Sequence, residues 1–281
     1  IGVPLMVREK GAIFLELIKN PRYGYGRNMN PCIDCRIFMF HIAGRVMQEE
    51  GADFVVTGEV LGQRPMSQRR AAMELIDRKS EISGLVLRPL SAKELLPTVP
   101  EMEGWIDRES LLAITGRGRK QQLELANIWH LKGYGSPGGG CLLTERQFSP
   151  KLKDFFQHEE SLTSDVRLAQ SELLRIGRHF RLSDSTKVIV ARNEKENTEL
   201  SERWKKAEGV FFCPDNFDGP NAIAVGRVNN AERQIVGEMI ARYGKAKDIL
   251  EKRIKFDSTT GRGEFTVTHP VADETLKALR I

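Results

Sequence analysis

Short apolar runs alternate with helical periodicity over roughly the first half of the chain. Buried-strand patterns occupy residues 1–7, 54–56 and 85–87, and helical patterns occupy residues 10–19, 35–47, 66–79 and 121–131. Residues 96–105, which contain two prolines and a glycine, are predicted to form an ordered loop. Strands that alternate with helices at this spacing predict a parallel sheet with right-handed crossovers.

The pattern changes beyond a polar stretch at residues 156–163. Short strands are predicted at 178–182, 187–191 and 210–213, helices at 193–206 and 231–243, and a closing hairpin from 252–256 and 263–269. The sequence therefore predicts an α/β, parallel-sheet domain at residues 1–157 and a smaller α+β domain at residues 163–281. Because the strand pattern at 1–7 begins without a preceding element, the chain is expected to be a fragment.

Composition narrows the class of protein. A length of 281 residues suits about two domains, and 40% hydrophobic residues are enough to form a core. No apolar run approaches the ~18 residues of a membrane span, and no secretory signal opens the chain, so a cytoplasmic protein without membrane contact is expected. The net charge of +5 is a mild indication of a polyanionic partner.

Three cysteines are the candidate reactive groups. Cys32 and Cys35 lie at a predicted helix start, where backbone N–H groups favour thiolates, and Cys141 follows three glycines. The spacing leaves three hypotheses open: a zinc site that lacks a fourth ligand, an iron–sulfur cluster with one open iron, and a persulfide with a resolving thiol. Cys141 as an unrelated buried residue is the fourth alternative. Cys213, in an apolar strand, is interpreted as a buried small residue.

A glycine-containing polar turn follows the strand at 54–56. It includes Thr57, Gly58 and Gln63, and glycines after a strand are typical of nucleotide-binding turns as well as of ordinary turns. Basic residues around it are candidates for phosphate contacts, although each one could equally be a solvated surface residue. They are Arg64, Arg69, Arg70, Arg88, Lys93, Arg117, Arg119 and Lys120.

Four motifs together resemble one family. They are Asn-Pro-Cys-Ile-Asp-Cys at 30–35, the run at 56–63 with Ser-Gln at 67–68, Leu-Arg-Pro-Leu at 87–90, and Cys141. They resemble the PP-loop ATP pyrophosphatases that thiolate tRNA, the 2-thiouridylase and 4-thiouridine synthetase group, over about residues 1–157. The resemblance implies an adenine nucleotide alpha hydrolase-like, Rossmann-type fold. It also implies a Mg²⁺-dependent reaction in which ATP adenylates the carbonyl oxygen of a uridine and sulfur then displaces AMP.

The same resemblance implies roles for individual residues. Thr57, Gly58, Gln63 and Arg88 match nucleotide and substrate contacts, and the basic residues around them would contact tRNA. Cys35 and Cys141 match the catalytic cysteines, which could transfer a persulfide without metal. Cys32 is a third cysteine in addition to that pair. Its presence favours the subgroup that holds a [4Fe-4S] cluster on three cysteines.

The resemblance also implies the partners. They would be tRNA and a sulfur donor, which could be sulfide, a cysteine desulfurase or a carrier, and a homodimer is a further option.

The sequence departs from the family at one motif. The Ser-Gly-Gly-x-Asp-Ser loop that grips pyrophosphate does not occur in these residues, and the glycine-rich run at 136–140 lacks its Asp and its preceding strand. The orphan strand pattern at 1–7 predicts that the first strand and loop lie upstream of this chain. The alternative is a non-catalytic RNA-binding protein that has lost ATP chemistry. Tight ATP binding by the chain as given is not expected.

The C-terminal half carries a second resemblance. Gly-Arg-His-Phe-Arg-Leu at 177–182 and the run at 188–197 resemble the RNA-binding domain of NFACT-type proteins over about residues 175–227. The resemblance implies contacts with the tRNA backbone. The candidates are Arg178, His179, Arg181, Arg192 and Asn193, although Asn193 could instead cap the following helix.

Overall fold

The computed structural model describes residues 2–135, 141–245 and 248–281. The chain divides into two compact units, Ile1–Thr144 and Glu145–Ile281. The division precedes the polar stretch at 156–163 because the helix at 148–157 packs within the second unit. The glycine-rich run at 136–140, which was compared with the pyrophosphate loop, lies outside the described residues.

The first unit is mostly helical around a small parallel sheet. Its elements are α1 (Gly11–Lys19), α2 (Cys32–Glu49), β1 (Val55–Val56), α3 (Arg70–Lys79), β2 (Val86–Leu87), α4 (Val99–Met102) and α5 (Lys120–Ile128). β1 and β2 pair in parallel, with Val55 opposite Val86. The predicted parallel pairing of these two segments is confirmed, but two strands fall short of the Rossmann-type sheet that was expected.

The prediction of a strand at residues 1–7 is wrong for residues 2–7, the part of this segment that the structure describes. Residues 2–10 have no regular secondary structure. Val3, Leu5 and Val7 are exposed, and Leu5 has 88% of its surface accessible. An apolar run becomes a strand only where a neighbouring strand takes its hydrogen bonds and a core takes its side chains, and here neither is provided.

A compact apolar cluster holds α2 and α3 against the sheet. It consists of Phe40, Ile76, Ile82 and Val86. Gly44 lets α2 approach closely, because a Cβ atom at this position would lie 2.7 Å from the Cγ2 of Ile82. This packing sets the position of α2, and therefore of the cysteines in its first turn.

The second unit is built on one antiparallel sheet. Its elements are α6 (Phe148–Gln157), α7 (Ser164–Leu173), β3 (Arg178–Ser183), β4 (Thr186–Val190), α8 (Glu194–Arg203), β5 (Val210–Pro214), β6 (Ala222–Gly226), α9 (Asn230–Tyr243), β7 (Lys252–Ser258), β8 (Gly261–Val267) and α10 (Asp273–Leu279). The strand order is β3-β4-β6-β5-β7-β8. The predicted β7–β8 hairpin is confirmed. The sequence pattern missed β6, whose alanines have low strand propensity, and the helices α6, α7 and α10.

Helices cover the sheet on both faces. On one face, side chains of α9 and α10 such as Met239 and Leu276 pack with Phe180 and Phe212 in one cluster. On the other face, α7 and α8 contribute to a second cluster that includes Trp204. Burial on both faces explains why residues 188–190 of β4 and 222–225 of β6 form continuous apolar runs rather than an alternating pattern.

The contact between α6 and the sheet includes ion pairs beside the buried apolar side chains of α6. Asp154 of α6 accepts two hydrogen bonds from Arg181, at 2.8 and 2.7 Å, and lies 2.8 Å from the Nζ of Lys187. Burial alone would raise the pKa of Asp154, but the two cations lower it below its usual value. Burial lowers the pKa of Lys187 to about 8 even though Asp154 opposes the shift. The carboxylate therefore neutralises positive charge that the interior would otherwise have to bury unpaired.

Asp154→Asn is expected to destabilise the second unit by about 3 kcal/mol, because breaking a buried ion pair leaves uncompensated charge in the interior. Urea denaturation followed by circular dichroism measures the change. The control is Asp273→Asn, which removes an exposed pair with Arg242 and should cost less than about 1 kcal/mol. Equal small losses for the two variants would show that Asp154 does not anchor α6.

Candidate thiol site and RNA-contact residues

The first turn of α2 presents the paired cysteines. α2 begins at Cys32, directly after Pro31, and the backbone N–H of Cys35 donates to the Pro31 carbonyl at 2.8 Å. Asp34 accepts hydrogen bonds from the backbone N–H groups of Arg22 and Tyr23 at 2.9 and 3.1 Å. These bonds fix the loop before α2 to the helix start, so the predicted placement of two thiols at a helix N-terminus is confirmed.

Asn30 links two of the three thiols. Its buried side chain donates from Nδ2 to the Sγ of Cys32 at 3.2 Å, and its Oδ1 accepts from the Sγ of Cys141 at 3.9 Å. Asn28 donates from Nδ2 to the Thr144 carbonyl at 2.7 Å. The two asparagines hold residues 141–144 beside the segment that precedes α2. Sequence reasoning missed Asn30, although its place directly before the Pro-Cys pair was an available signal.

Cys35 lies in a largely buried environment that changes the pKa of its thiol. Burial raises its pKa, and the positive charges of Lys10 and Arg36 only partly offset that effect. The neighbouring thiols of Cys141 and Cys32 raise it further, which places all three in electrostatic reach of one another. The Nζ of Lys10 lies 3.9 Å from the Cys35 Sγ. At Cys35, burial therefore outweighs the thiolate preference expected of a helix N-terminus.

Thiolates are the usual ligands of an iron–sulfur cluster, but the three cysteines are not arranged here as a metal site. Within residues 2–135, 141–245 and 248–281, no group of three or more His, Cys, Asp or Glu side chains is arranged to hold a metal ion. Three convergent thiols are nevertheless the donor set of a [4Fe-4S] cluster with one open iron. His41, the histidine of α2, hydrogen-bonds through Nε2 to the Lys79 carbonyl at 2.8 Å and does not supply the fourth ligand that a zinc site would need.

The predicted nucleotide contacts lie near the ends of the parallel strands. The backbone N–H of Thr57 donates to the Leu87 carbonyl at 3.0 Å, and Gly58 follows in an exposed position. The side chain of Gln63 donates to the Oε1 of Gln122 at 2.8 Å. The structure places these residues in the turn that the sequence indicated, and their contact with a nucleotide stays a prediction.

Arg88 has a structural environment that the sequence did not indicate. It is 4% exposed and donates from Nε to Glu59 at 3.0 Å and from Nη1 and Nη2 to Asp77 at 2.8 and 2.6 Å. Burial lowers its pKa, but Asp77 and Glu59 more than compensate, so the pKa is raised. Glu59 also pairs with the Nε of Arg36 at 3.0 Å. A nucleotide would have to compete with two carboxylates for this guanidinium.

The other basic candidates of the first unit lie near the starts of α3 and α5. Arg69, Arg117 and Lys120 are exposed, and Arg64 is half-buried. Arg70 donates to the Glu94 carbonyl at 2.7 Å, and Arg119 donates to the Gly135 carbonyl at 3.4 Å. These are surface positions compatible with a nucleic-acid contact, and none of them is shown to make one.

The arginines predicted to contact RNA in the second unit separate into two groups. Arg178 donates to the Ala191 carbonyl at 3.0 Å and lies over the Tyr243 ring, 4.4 Å from its centroid. Arg192 pairs with Glu196 through Nε and Nη2. Arg181 instead belongs to the buried pair with Asp154.

Two further candidates have structural roles. Asn193 caps α8 by accepting from the backbone N–H of Glu196 at 3.1 Å, as its alternative interpretation anticipated. His179 was wrongly predicted as an RNA contact. It is 1% exposed, and its Nε2 donates to the Ile176 carbonyl at 2.7 Å. Burial and the nearby lysines lower its pKa well below the usual range, so the ring is neutral.

Family models match both units of the chain. Residues 14–94 match the model described as thiamine biosynthesis protein (ThiI), a PP-loop tRNA thiolation family. Residues 177–280 match the model described as NFACT protein RNA binding domain. The chain joins a ThiI-type segment to an NFACT-type domain. Both resemblances inferred from the sequence are thereby confirmed.

The ThiI match includes Cys32, Cys35, Thr57, Gly58 and Gln63, and it ends before Cys141. The NFACT match at residues 177–280 extends about fifty residues beyond the resemblance at 175–227, and it includes β7, β8 and all of α10. Among the helices of the described residues, none is long and apolar enough to cross a membrane.

Comparisons with curated proteins and with solved structures do not identify a relative that bears on fold or function. No curated protein matches the chain by sequence. A solved structure that matches is that of the C-terminal of the fibronectin/fibrinogen-binding protein from Streptococcus suis, with 13% identity, a TM-score of 0.33, and coverage of 89% of this chain and 94% of the other. At that TM-score the likeness carries no weight for fold or function.

Asn30→Ala is expected to reduce, severalfold, the cross-linking of Cys141 to Cys32 or Cys35 by dibromobimane, because the asparagine bridges the two segments. Reduced, metal-free protein is treated without oxygen, and the bridged peptides are identified by mass spectrometry. Asn127→Ala, an exposed change in α5, is the control and should leave the yield unchanged. Equal yields for Asn30→Ala and the unmodified protein would contradict the bridging role.

Proposed function

We propose that this protein is an ATP-dependent tRNA sulfurtransferase. ATP adenylates a uridine carbonyl oxygen with release of pyrophosphate, and attack by sulfur on the same carbon displaces AMP. The observation that carries the proposal is the contact of Asn30 with both Cys32 and Cys141, with Cys35 close enough to these two thiols for them to raise its pKa, in a unit that contains the ThiI match. The NFACT-type domain supports RNA as the substrate.

In this proposal the three cysteines hold a [4Fe-4S] cluster. When bound, such a cluster would offer one iron without a protein ligand, where sulfide can be held as a nucleophile at neutral pH. Asn30 would fix the relative positions of Cys32 and Cys141, and Lys10 would place positive charge beside Cys35. Thr57, Gly58 and Gln63 would contact the nucleotide. Since the Ser-Gly-Gly-x-Asp-Ser loop is not among the 281 residues, weak ATP binding is expected of this chain alone.

The proposed partners follow from the same chemistry. The RNA is a tRNA, and the sulfur comes from sulfide, a cysteine desulfurase or a carrier protein. Arg64, Arg69, Arg70, Arg117, Arg119 and Lys120 in the first unit are proposed to add phosphate contacts to those of the second unit.

A second candidate mechanism needs no metal. The Cys141 thiol lies close enough to Cys35 to raise the pKa of Cys35, and such closeness is needed between a persulfide carrier and its resolving thiol. In that mechanism Cys32 is dispensable. A non-catalytic RNA-binding protein is the alternative from a different class, and the NFACT-type match supports RNA binding in either case.

Anaerobic purification is expected to yield a brown protein that contains iron and labile sulfide. Cys32→Ala, Cys35→Ala and Cys141→Ala should each lose the colour, whereas Cys213→Ala, in the other unit, should keep it. A colourless protein with stoichiometric zinc would falsify the cluster proposal. If Cys32→Ala remains fully active in tRNA thiolation, the persulfide mechanism is supported instead.

The protein should bind a tRNA transcript with strong salt dependence, because each neutralised phosphate releases a counterion. Raising monovalent salt from about 50 to about 200 mM should weaken binding by roughly a hundredfold or more for several contacts. Fluorescence anisotropy with labelled tRNA measures the slope. Absent binding, or binding that salt does not change, would contradict the RNA-binding role.

A further inference from the structure

The second unit contains a polar cavity that includes two of the arginines proposed to contact RNA. It has a volume of about 340 Å³ and is lined by the end of β4, the start of α8, the turn at 218–220 and the end of α9. That volume lies at the lower end of the range of small-molecule sites and suits a ligand of nucleotide size. We call it the Tyr243 pocket and define it by Arg178, Arg192, Asn193, Asn197, Tyr243 and Lys245.

An arginine stacked on an aromatic ring forms one wall. The Arg178 guanidinium lies 4.4 Å from the Tyr243 ring centroid and is tethered by its hydrogen bond to the Ala191 carbonyl. Both side chains are half-buried. A planar guanidinium held against a ring offers a flat surface on which a nucleobase can stack, and such stacking tolerates any base.

Positive charge lies at the edge of the same cavity. Glu196 holds Arg192 through Nε and Nη2, so the guanidinium is oriented, while its Nη1 makes no hydrogen bond within the described residues. The pKa of Glu196 is lowered, because its hydrogen bonds to Arg192 outweigh the effect of burial, so it stays ionised. Lys245 adds a second cation, and Glu194 and Asp218 are the acidic residues of the lining. An anionic ligand therefore has two cations to approach.

The wall formed by the turn at 218–220 and the end of α9 is tightly built. The backbone N–H of Lys245 donates to the Asp218 carbonyl at 2.7 Å, which joins the turn at 218–220 to the end of α9. A Cβ atom at Gly244 would lie 2.7 Å from a ring carbon of Phe217, so only glycine allows this approach. The cavity is thus a consequence of close packing around it and not a gap between loose segments.

Other basic residues of this unit have structural roles and do not line the pocket that contains Arg178 and Arg192. Arg181 and Lys187 are occupied by Asp154, and His179 is buried, so none of them faces the Tyr243 pocket. Of the RNA candidates of this unit, Arg178, Arg192 and the helix-capping Asn193 line it. The contact of Arg178 with the Tyr243 ring, together with Arg192 in the lining of the same cavity, distinguishes a ligand site from a general basic surface.

We propose that the Tyr243 pocket holds one unstacked nucleotide of a single-stranded RNA segment, with its base against the Arg178–Tyr243 pair and its phosphate near Arg192 and Lys245. This inference rests on the RNA-binding role in the proposed function and adds to it a defined subsite. Single-stranded segments with splayed bases are what RNA-binding domains generally recognise, and a base removed from its stack needs such a surface.

The test uses the full chain and a fluorescein-labelled decauridylate. Arg178→Lys keeps the charge but loses the planar surface, so binding should weaken by roughly tenfold with an unchanged salt slope. Tyr243→Leu should weaken it by a similar factor, and Arg192→Gln should reduce the salt slope by about 0.7. The matched control is Arg242→Gln, next to Tyr243 in α9 but paired with Asp273 and outside the pocket lining.

Photo-cross-linking gives a direct readout. The same RNA carrying 5-iodouridine should cross-link to Tyr243, as mapped by mass spectrometry, with thermal unfolding used to confirm that each variant is folded. If the unmodified protein binds RNA but Arg178→Lys and Tyr243→Leu bind equally well, the pocket proposal is overturned and the RNA-binding role survives. If the unmodified protein binds neither the decauridylate nor tRNA, both are overturned.

Discussion

Each unit of this protein depends on a buried carboxylate that has to be paired with cations. In the first unit Glu59 lies between Arg36 and Arg88, and Asp77 takes the remaining donors of Arg88. In the second, Asp154 lies between Arg181 and Lys187. Removing an ion from water costs several kcal/mol unless its partners are close and well oriented, so these contacts dictate which elements lie side by side.

In the first unit this pairing connects the fold to the chemistry. Arg36 directly follows Cys35, and its ion pair with Glu59 ties the first turn of α2 to the end of β1. Arg88 ties the end of β2 to the same carboxylate and to α3. The turn with Thr57 and Gly58 and the helix start with the thiols are therefore held in one unit by charge as well as by the apolar cluster around Phe40. Asn30 then brings the distant Cys141 to that helix start.

In the second unit, two arginines of β3 have different roles because only one of them is paired with the buried carboxylate. Arg178 and Arg181 are three positions apart on β3, so their side chains point to opposite faces of the sheet. Arg181 meets the carboxylate of α6 and becomes part of the interior, whereas Arg178 meets the ring of Tyr243 beside a cavity. A motif rich in arginine therefore supplies both the support of the domain and a surface for a ligand.

The sequence by itself determined the two-part organisation, both family resemblances, most helices, and the strands with strong apolar patterns, since periodicity and short motifs are local properties. The thiols of α2, the turn after β1 and the β7–β8 hairpin belong to this group. The sequence could not decide that residues 2–10 lack a strand, that Arg88 and Arg181 are buried in ion pairs, or that Asn30 and Tyr243 contact the proposed site residues. Those outcomes depend on which distant side chain supplies the opposite charge, the hydrogen bond or the neighbouring strand, and only the tertiary structure brings these partners together.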